Sequence, residues 1–129
     1  MPHFCIDYSP NLEDRMDMAD FCNHLREVGL QTGVFPMPGI RVRAFAASHC
    51  SIADGEDNRA YIDISVRLRG GRTLEVRKAA TEQIFEAASA YLAPLMKEMP
   101  LALSMEMRDI DPELSPKKNS IRQFLEGDQ

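Results

Sequence analysis

Pro2 stands directly behind Met1, and Arg41, Arg43 and Arg72 open segments that read as a strand and a helix. Proline has no backbone N–H to give a sheet, but at a chain terminus its ring nitrogen is a secondary amine. Removal of Met1 would expose that amine at the head of a half-buried strand, where desolvation and neighbouring cations pull its pKa down toward neutrality. A neutral amine held there is a general base. Arg41 and Arg43, at i and i+2 of one strand, point to the same side, and each guanidinium can grip a carboxylate through two parallel hydrogen bonds. Arg72 follows two glycines at the start of a helix and can join them. Together these residue types support proton transfer on a dicarboxylate. Strand arginines are also found simply solvated or paired with Asp and Glu, and with Met1 in place Pro2 is an ordinary amide.

The remaining chemistry-bearing residues point nowhere else. His24 falls on a helix and reads as exposed; His3, beside Pro2, either lines a pocket or serves structure; His49 is isolated. There is no Ser/His/Asp order and no phosphate loop. Asp54, Gly55 and Glu56 lack the spacing of a calcium loop. Cys5, Cys22 and Cys50 are odd in number and have no His at metal-ligand spacing, which reads as three reduced thiols and no metal.

The elements that must position these groups follow from hydrophobic period. Phe4, Ile6 and Tyr8 alternate with His3, Cys5 and Asp7, a strand signature. After Ser9, Pro10 and Asn11, with Asn11 available as a cap, Met18, Phe21, Cys22, Leu25 and Val28 form a helical stripe that Gly29 and Gly33 end. Ile40, Val42, Ala44 and Ala46 alternate with Arg41, Arg43 and Phe45 in a second strand. Ile62, Ile64, Val66 and Leu68 make the clearest strand, stopped by Gly70 and Gly71. Thr73 can cap a long helix with an inner stripe of Val76, Ala80, Ile84, Ala87, Tyr91 and Leu95, kinked or ended early by Pro94. Leu101, Leu103, Met105 and Met107 then alternate against Ser104, Glu106 and Arg108.

The order is strand–helix–strand twice, about residues 2–50 and 59–110, in one domain spanning 1–129. Parallel pairing within each half through a right-handed crossover predicts an α+β fold: duplicated β-α-β units in a four-stranded mixed sheet with two helices on one face. A C-terminal arm over 111–129 adds a short helix, with Ser115 and Pro116 as its opening and Ile121, Phe124 and Leu125 as its stripe. The uncovered sheet face would carry Cys5, Arg41, Phe45, Tyr61 and Ser104, a mixture that suits an oligomer interface.

Composition narrows the function classes. Among 129 residues, 44% are hydrophobic and the net charge is −5, so the global field repels nucleic acid and any anionic ligand needs a local cationic site. No apolar run approaches the ~20 residues of a membrane span, and no secretory signal pattern opens the chain, so a cytoplasmic protein is expected.

Pro2, His3 and Phe4, the stretch Thr32, Gly33, Val34, Phe35 and Pro36 leading through Gly39 and Ile40 to Arg41 and Arg43, and then Ala53, Asp54 and Gly55 together resemble the 5-carboxymethyl-2-hydroxymuconate isomerase family of the tautomerase superfamily. Gly71, Arg72, Leu74, Glu75 and Arg77 and the strand Leu101, Ala102, Leu103 and Ser104 extend the resemblance from Pro2 to about Leu125. It implies a cofactor-independent keto–enol isomerase of aromatic catabolism, the homoprotocatechuate pathway, assembled as a homotrimer. It also implies Pro2 as catalytic base and Arg41 and Arg72, with Arg43 a weaker transfer, as binders of a small-molecule carboxylate substrate. The chain departs from the pattern in its helix surfaces, at Pro94 and in a longer tail ending Glu126, Gly127, Asp128 and Gln129. Two alternatives stay open: a related hydratase, decarboxylase or dehalogenase of an unsaturated acid, and a non-catalytic trimeric binding module.

Overall fold

The structure, a computed structural model, describes residues 1–125. Strand β1 (His3–Tyr8) leads into helix α1 (Met18–Gln31) and strand β2 (Arg41–Ala46); strand β3 (Ala60–Arg69), helix α2 (Leu74–Met96) and strand β4 (Leu101–Ile110) repeat the pattern. The four strands form one sheet in the order β2-β1-β3-β4. Each half pairs its own strands in parallel, and antiparallel pairing of β1 with β3 joins the halves, with Cys5 opposite Ser65 and Ile6 opposite Ile64. The mixed sheet and duplicated unit expected from the strand periods are present.

Alternation sorts the side chains as expected. Phe4 and Ile6 of β1 and Ile62, Ile64, Val66 and Leu68 of β3 are buried against Phe21 and Leu25 of α1 and Ile84, Ala88 and Leu92 of α2. The opposite face, carrying Cys5, Arg43, Phe45, Tyr61 and Ser104, has no layer over it among the described residues, and Phe45 is 59% exposed. Cys5, Cys22 and Cys50 stand as free thiols.

Local details depart from expectation where tertiary contacts outbid nearby sequence. Asp17, not Asn11, caps α1 by accepting from the Asp20 N–H at 3.0 Å. Asn11 instead donates from Nδ2 to the Arg59 carbonyl at 2.7 Å, tying the loop after β1 to the approach to β3. Gly29 does not end α1 but sits inside it, buried where the helix meets Phe4 and Ile40. Gly33, two residues past the helix, has φ +74° and makes the turn. Thr73 caps α2 as expected, accepting from the Val76 N–H. Pro94 does not end α2 early: it lies in the last turn, where few following residues need a continued ladder, and the helix runs to Met96. The buried line on α2 is Ala80, Ile84, Ala88 and Leu92, so Val76 points outward at 42% exposure and Ala87, Tyr91 and Leu95 flank the core.

The arm after β4 corrects the expected helix. Ser115 gives its hydroxyl to the Asp111 carbonyl, and only a 3-10 turn forms over Ile121–Phe124. Ile121 and Phe124 are 49% and 75% exposed, because this turn lies against the Met37–Gly39 turn rather than on the core. Glu126, Gly127, Asp128 and Gln129 lie outside the described residues.

Candidate active site

Pro2 leads into β1, and its even position turns it to the same side as Phe4 and Ile6; it is buried. Opposite it lies the turn Met37–Gly39, packed so closely that a Cβ on Gly39 would sit 3.3 Å from Pro2 Cδ. A cavity of about 510 Å³ opens here, walled by Val34, Phe35 and Leu68 on its apolar side and by Arg69, Arg72, Lys117 and Arg122 on its cationic side. Phe35 is fixed from behind by an edge-to-face contact with Phe4, ring centroids 5.1 Å apart.

Arg72 reaches this cavity because Gly71, at φ +110°, swings the chain from the end of β3 into α2. Its Nη2 donates to the Val34 carbonyl at 2.7 Å and its Nη1 to the Arg69 carbonyl at 3.1 Å. Two neutral acceptors hold the fork in place and leave its charge uncancelled, as a binder of carboxylate requires.

Arg41 opens β2 and faces the other side of the sheet. Its Nη2 lies 2.9 Å from His3 Nε2, while Arg43 Nη1 lies 3.1 Å from His3 Nδ1. A neutral imidazole has one accepting nitrogen, so it can accept from only one of these guanidiniums. Burial first, then the charges of Arg41, Arg67 and Arg43, push the His3 pKa down to about 4. The ring is therefore neutral at physiological pH. Arg41 Nε is buried with no hydrogen-bond partner among the described residues.

Arg41 lines a second cavity of about 520 Å³ together with His3, Arg67, Arg69 and Lys117. Met1, Arg69 and Lys117 belong to both cavities, and Met1 also lines a third, smaller one beside Arg41 and Asn119. The structure thus places Pro2 and Arg72 in one cavity and Arg41 in its neighbour, with Met1, Arg69 and Lys117 common to both. Arg43 lines none of the three. The chain terminus feels all of this charge: the pKa of the Met1 amine is lowered first by burial, then by Lys117, Arg41, Arg69 and Arg72.

Arg67, Arg69, Lys117, Lys118 and Arg122 are the cavity cations that sequence reasoning passed over. The run Arg67, Arg69, Arg72 was a usable signal, since i and i+2 of β3 share a face and the two glycines after Arg69 mark a turn. Nothing in the spacing of Lys117 or Arg122 announces their approach.

Among the described residues no helix is long and apolar enough to cross a membrane. The family model described as 5-carboxymethyl-2-hydroxymuconate isomerase matches residues 2–125. The chain is 33% identical over 121 residues to a 5-carboxymethyl-2-hydroxymuconate Delta-isomerase of Escherichia coli, covering 94% of this chain and 96% of that one. It superposes on a crystal structure of a 5-carboxymethyl-2-hydroxymuconate delta-isomerase with a TM-score of 0.89 at 31% identity, over 98% of this chain and 95% of the other. A 5-carboxymethyl-2-hydroxymuconate isomerase from Deinococcus radiodurans R1 superposes at 0.85 and 29% identity, over 93% and 90%. The fold alone extends further, to a fused 4-OT described as a symmetric trimer, at a TM-score of 0.65 and 18% identity over 90% of this chain and 93% of that one. Matched over nearly its whole length, the chain belongs to the 5-carboxymethyl-2-hydroxymuconate isomerase family and is an isomerase built on the tautomerase fold.

Proposed function

We propose that the working form of the chain begins at Pro2 and converts 5-carboxymethyl-2-hydroxymuconate, or a close 2-hydroxydienoate, to its unsaturated keto form without a cofactor. The observation that carries this reading is the setting of Pro2: a buried ring at a cavity with one apolar and one cationic wall, next to a Met1 amine whose pKa is lowered first by burial and then by Lys117, Arg41, Arg69 and Arg72. The neutral Pro2 nitrogen takes the proton of the 2-hydroxy group. The O–H electron pair becomes the ketone π bond, the double bonds shift along the chain, and the same amine returns its proton to the far-end carbon. One base serves both transfers.

Arg72 and Arg41 hold the substrate carboxylates and stabilise the charge that develops on the oxygen. Met1 lines both cavities, and its loss would bring the two arginines closer to sharing one cleft. Arg43, across the His3 ring from Arg41, adds positive charge beside the site. The uncovered sheet face, with Phe45 exposed, supports assembly as a homotrimer. A place in cytoplasmic aromatic catabolism goes with this substrate.

The test uses protein whose intact mass verifies the Pro2 start. Treatment with 3-bromopyruvate should place one label on Pro2 and abolish isomerisation of the dienol, followed by its ultraviolet absorbance. Full activity after labelling, or no label at all, overturns the assignment. The latter outcome would favour a binding module with an inert terminus.

A further inference from the structure

The C-terminal arm crosses the mouth of the cavities rather than trailing into solvent. Its turn Ile121–Phe124 lies against the Met37–Gly39 turn. Asn119 fastens it there: Nδ2 donates to the Pro38 carbonyl at 2.8 Å, and Oδ1 accepts from the Ile121 N–H at 2.8 Å. The arm thereby carries Lys117 to the rim where the Pro2–Arg72 cavity and the Arg41 cavity meet, and Lys117 lines both. Lys117 is exposed and makes no ion pair among the described residues. Of the charges acting on the terminal amine, that of Lys117 is the largest.

We infer that Lys117, held by the Asn119 latch, is a specificity-determining residue that binds a carboxylate beyond the two assigned to Arg41 and Arg72. This deepens the proposed isomerase reading and rests on it for the identity of the substrate. A muconate has two carboxylates, and a carboxymethyl branch adds a third. Two arginines in adjoining cavities suit the ends of the dienoate. A flexible ammonium on the rim between them suits the branch, since lysine acts as a point charge with three freely rotating donors and needs no planar match. A charge-assisted contact of this kind corresponds to about a tenfold change in affinity.

The experiment is equilibrium binding by calorimetry to protein verified to start at Pro2, which requires no turnover. Pentane-1,2,5-tricarboxylate, the saturated skeleton with all three carboxylates, is compared with adipate, which lacks the branch. The wild type should bind the tricarboxylate about tenfold more tightly. Lys117→Ala should erase that preference and leave adipate within about twofold, Lys117→Arg should keep most of it, and Asn119→Ala should lower it by freeing the arm. Equal weakening toward both ligands, or no change toward either, overturns the inference. Turnover of the dienol by the wild type is measured in parallel. Preference without turnover would leave the rim site standing and sink the isomerase substrate, whereas turnover without preference would do the reverse.

Discussion

At the scale of single residues, the candidate site gathers positive charge around His3 and the chain terminus, and that charge lowers the pKa of both. Arg72 is the best-anchored cation, with two backbone carbonyls fixing its fork. Arg72→Ala should lower kcat/KM about 100-fold, the usual consequence of losing one well-placed electrostatic donor. Arg72→Lys should recover little, because an ammonium cannot span both carbonyls and a carboxylate. Steady-state kinetics at saturating and limiting substrate separates the two variants. His3 makes a different point. Its folded pKa of about 4 lies below the 6.5 of an unperturbed histidine, so the unfolded chain binds the proton more readily. Stability therefore rises with pH across that window: it declines as pH falls through 6.5 and levels off near 4. In His3→Gln this contribution is gone, and the drop in Tm between pH 7 and pH 4.5 should be smaller than in the wild type. An identical drop in both proteins would show that His3 takes up its proton without cost in the fold.

At the scale of elements, the distance between α1 and β2 is set by an absent side chain. A Cβ on Gly29 would stand 2.9 Å from Ile40 Cδ1 and 3.2 Å from Phe4 Cζ. Alanine is the better helix former by about 1 kcal/mol, but the space is occupied by fully packed neighbours, and overpacking costs about 1–3 kcal/mol. Gly29→Ala should therefore be net destabilising by about 1 kcal/mol, read from the denaturant midpoint at fixed protein concentration. A more stable variant would mean that Ile40 yields freely. The same contact explains why period alone misplaces Gly29 as a helix end. A glycine that stops a helix and one that admits a neighbouring element look alike in sequence, and Gly33, with its positive φ, fills the first role here. Asn11 and Asp17 are also alike in type: both can cap, but the helix starts at Met18, so Asp17 takes the cap and Asn11 bonds to the distant Arg59 carbonyl.

At the scale of the whole molecule, a sheet with both helices on one side has an unfinished surface. Phe45, on edge strand β2 and paired in register with Asp7, is its most exposed large apolar side chain. If subunits cover this face, burying Phe45 contributes about 1.5–3 kcal/mol per subunit. Phe45→Asp, placing a second carboxylate beside Asp7, should then shift the sedimentation profile of the proposed trimer toward smaller species. An unchanged profile would mean that assembly uses another surface.

The alternation of Ile62, Ile64, Val66 and Leu68, the Thr73 cap and the repeated strand–helix order were legible without coordinates, because a strand or helix must bury one face and the chain writes that face at a fixed period. Pro2 and the arginines at strand and helix starts stood out as candidates for a related reason: chemistry needs particular residue types, and these depart from local pattern. Which of them meet was a different matter. Arg41 and Arg43, two positions apart, both approach His3, yet Arg41 lines a cavity and Arg43 lines none of the three. Lys117, more than a hundred positions from Pro2, arrives at the same cavity. Only the tertiary structure decides such convergence, since it depends on the path of the arm and on one latch at Asn119, and neither leaves a period in the sequence.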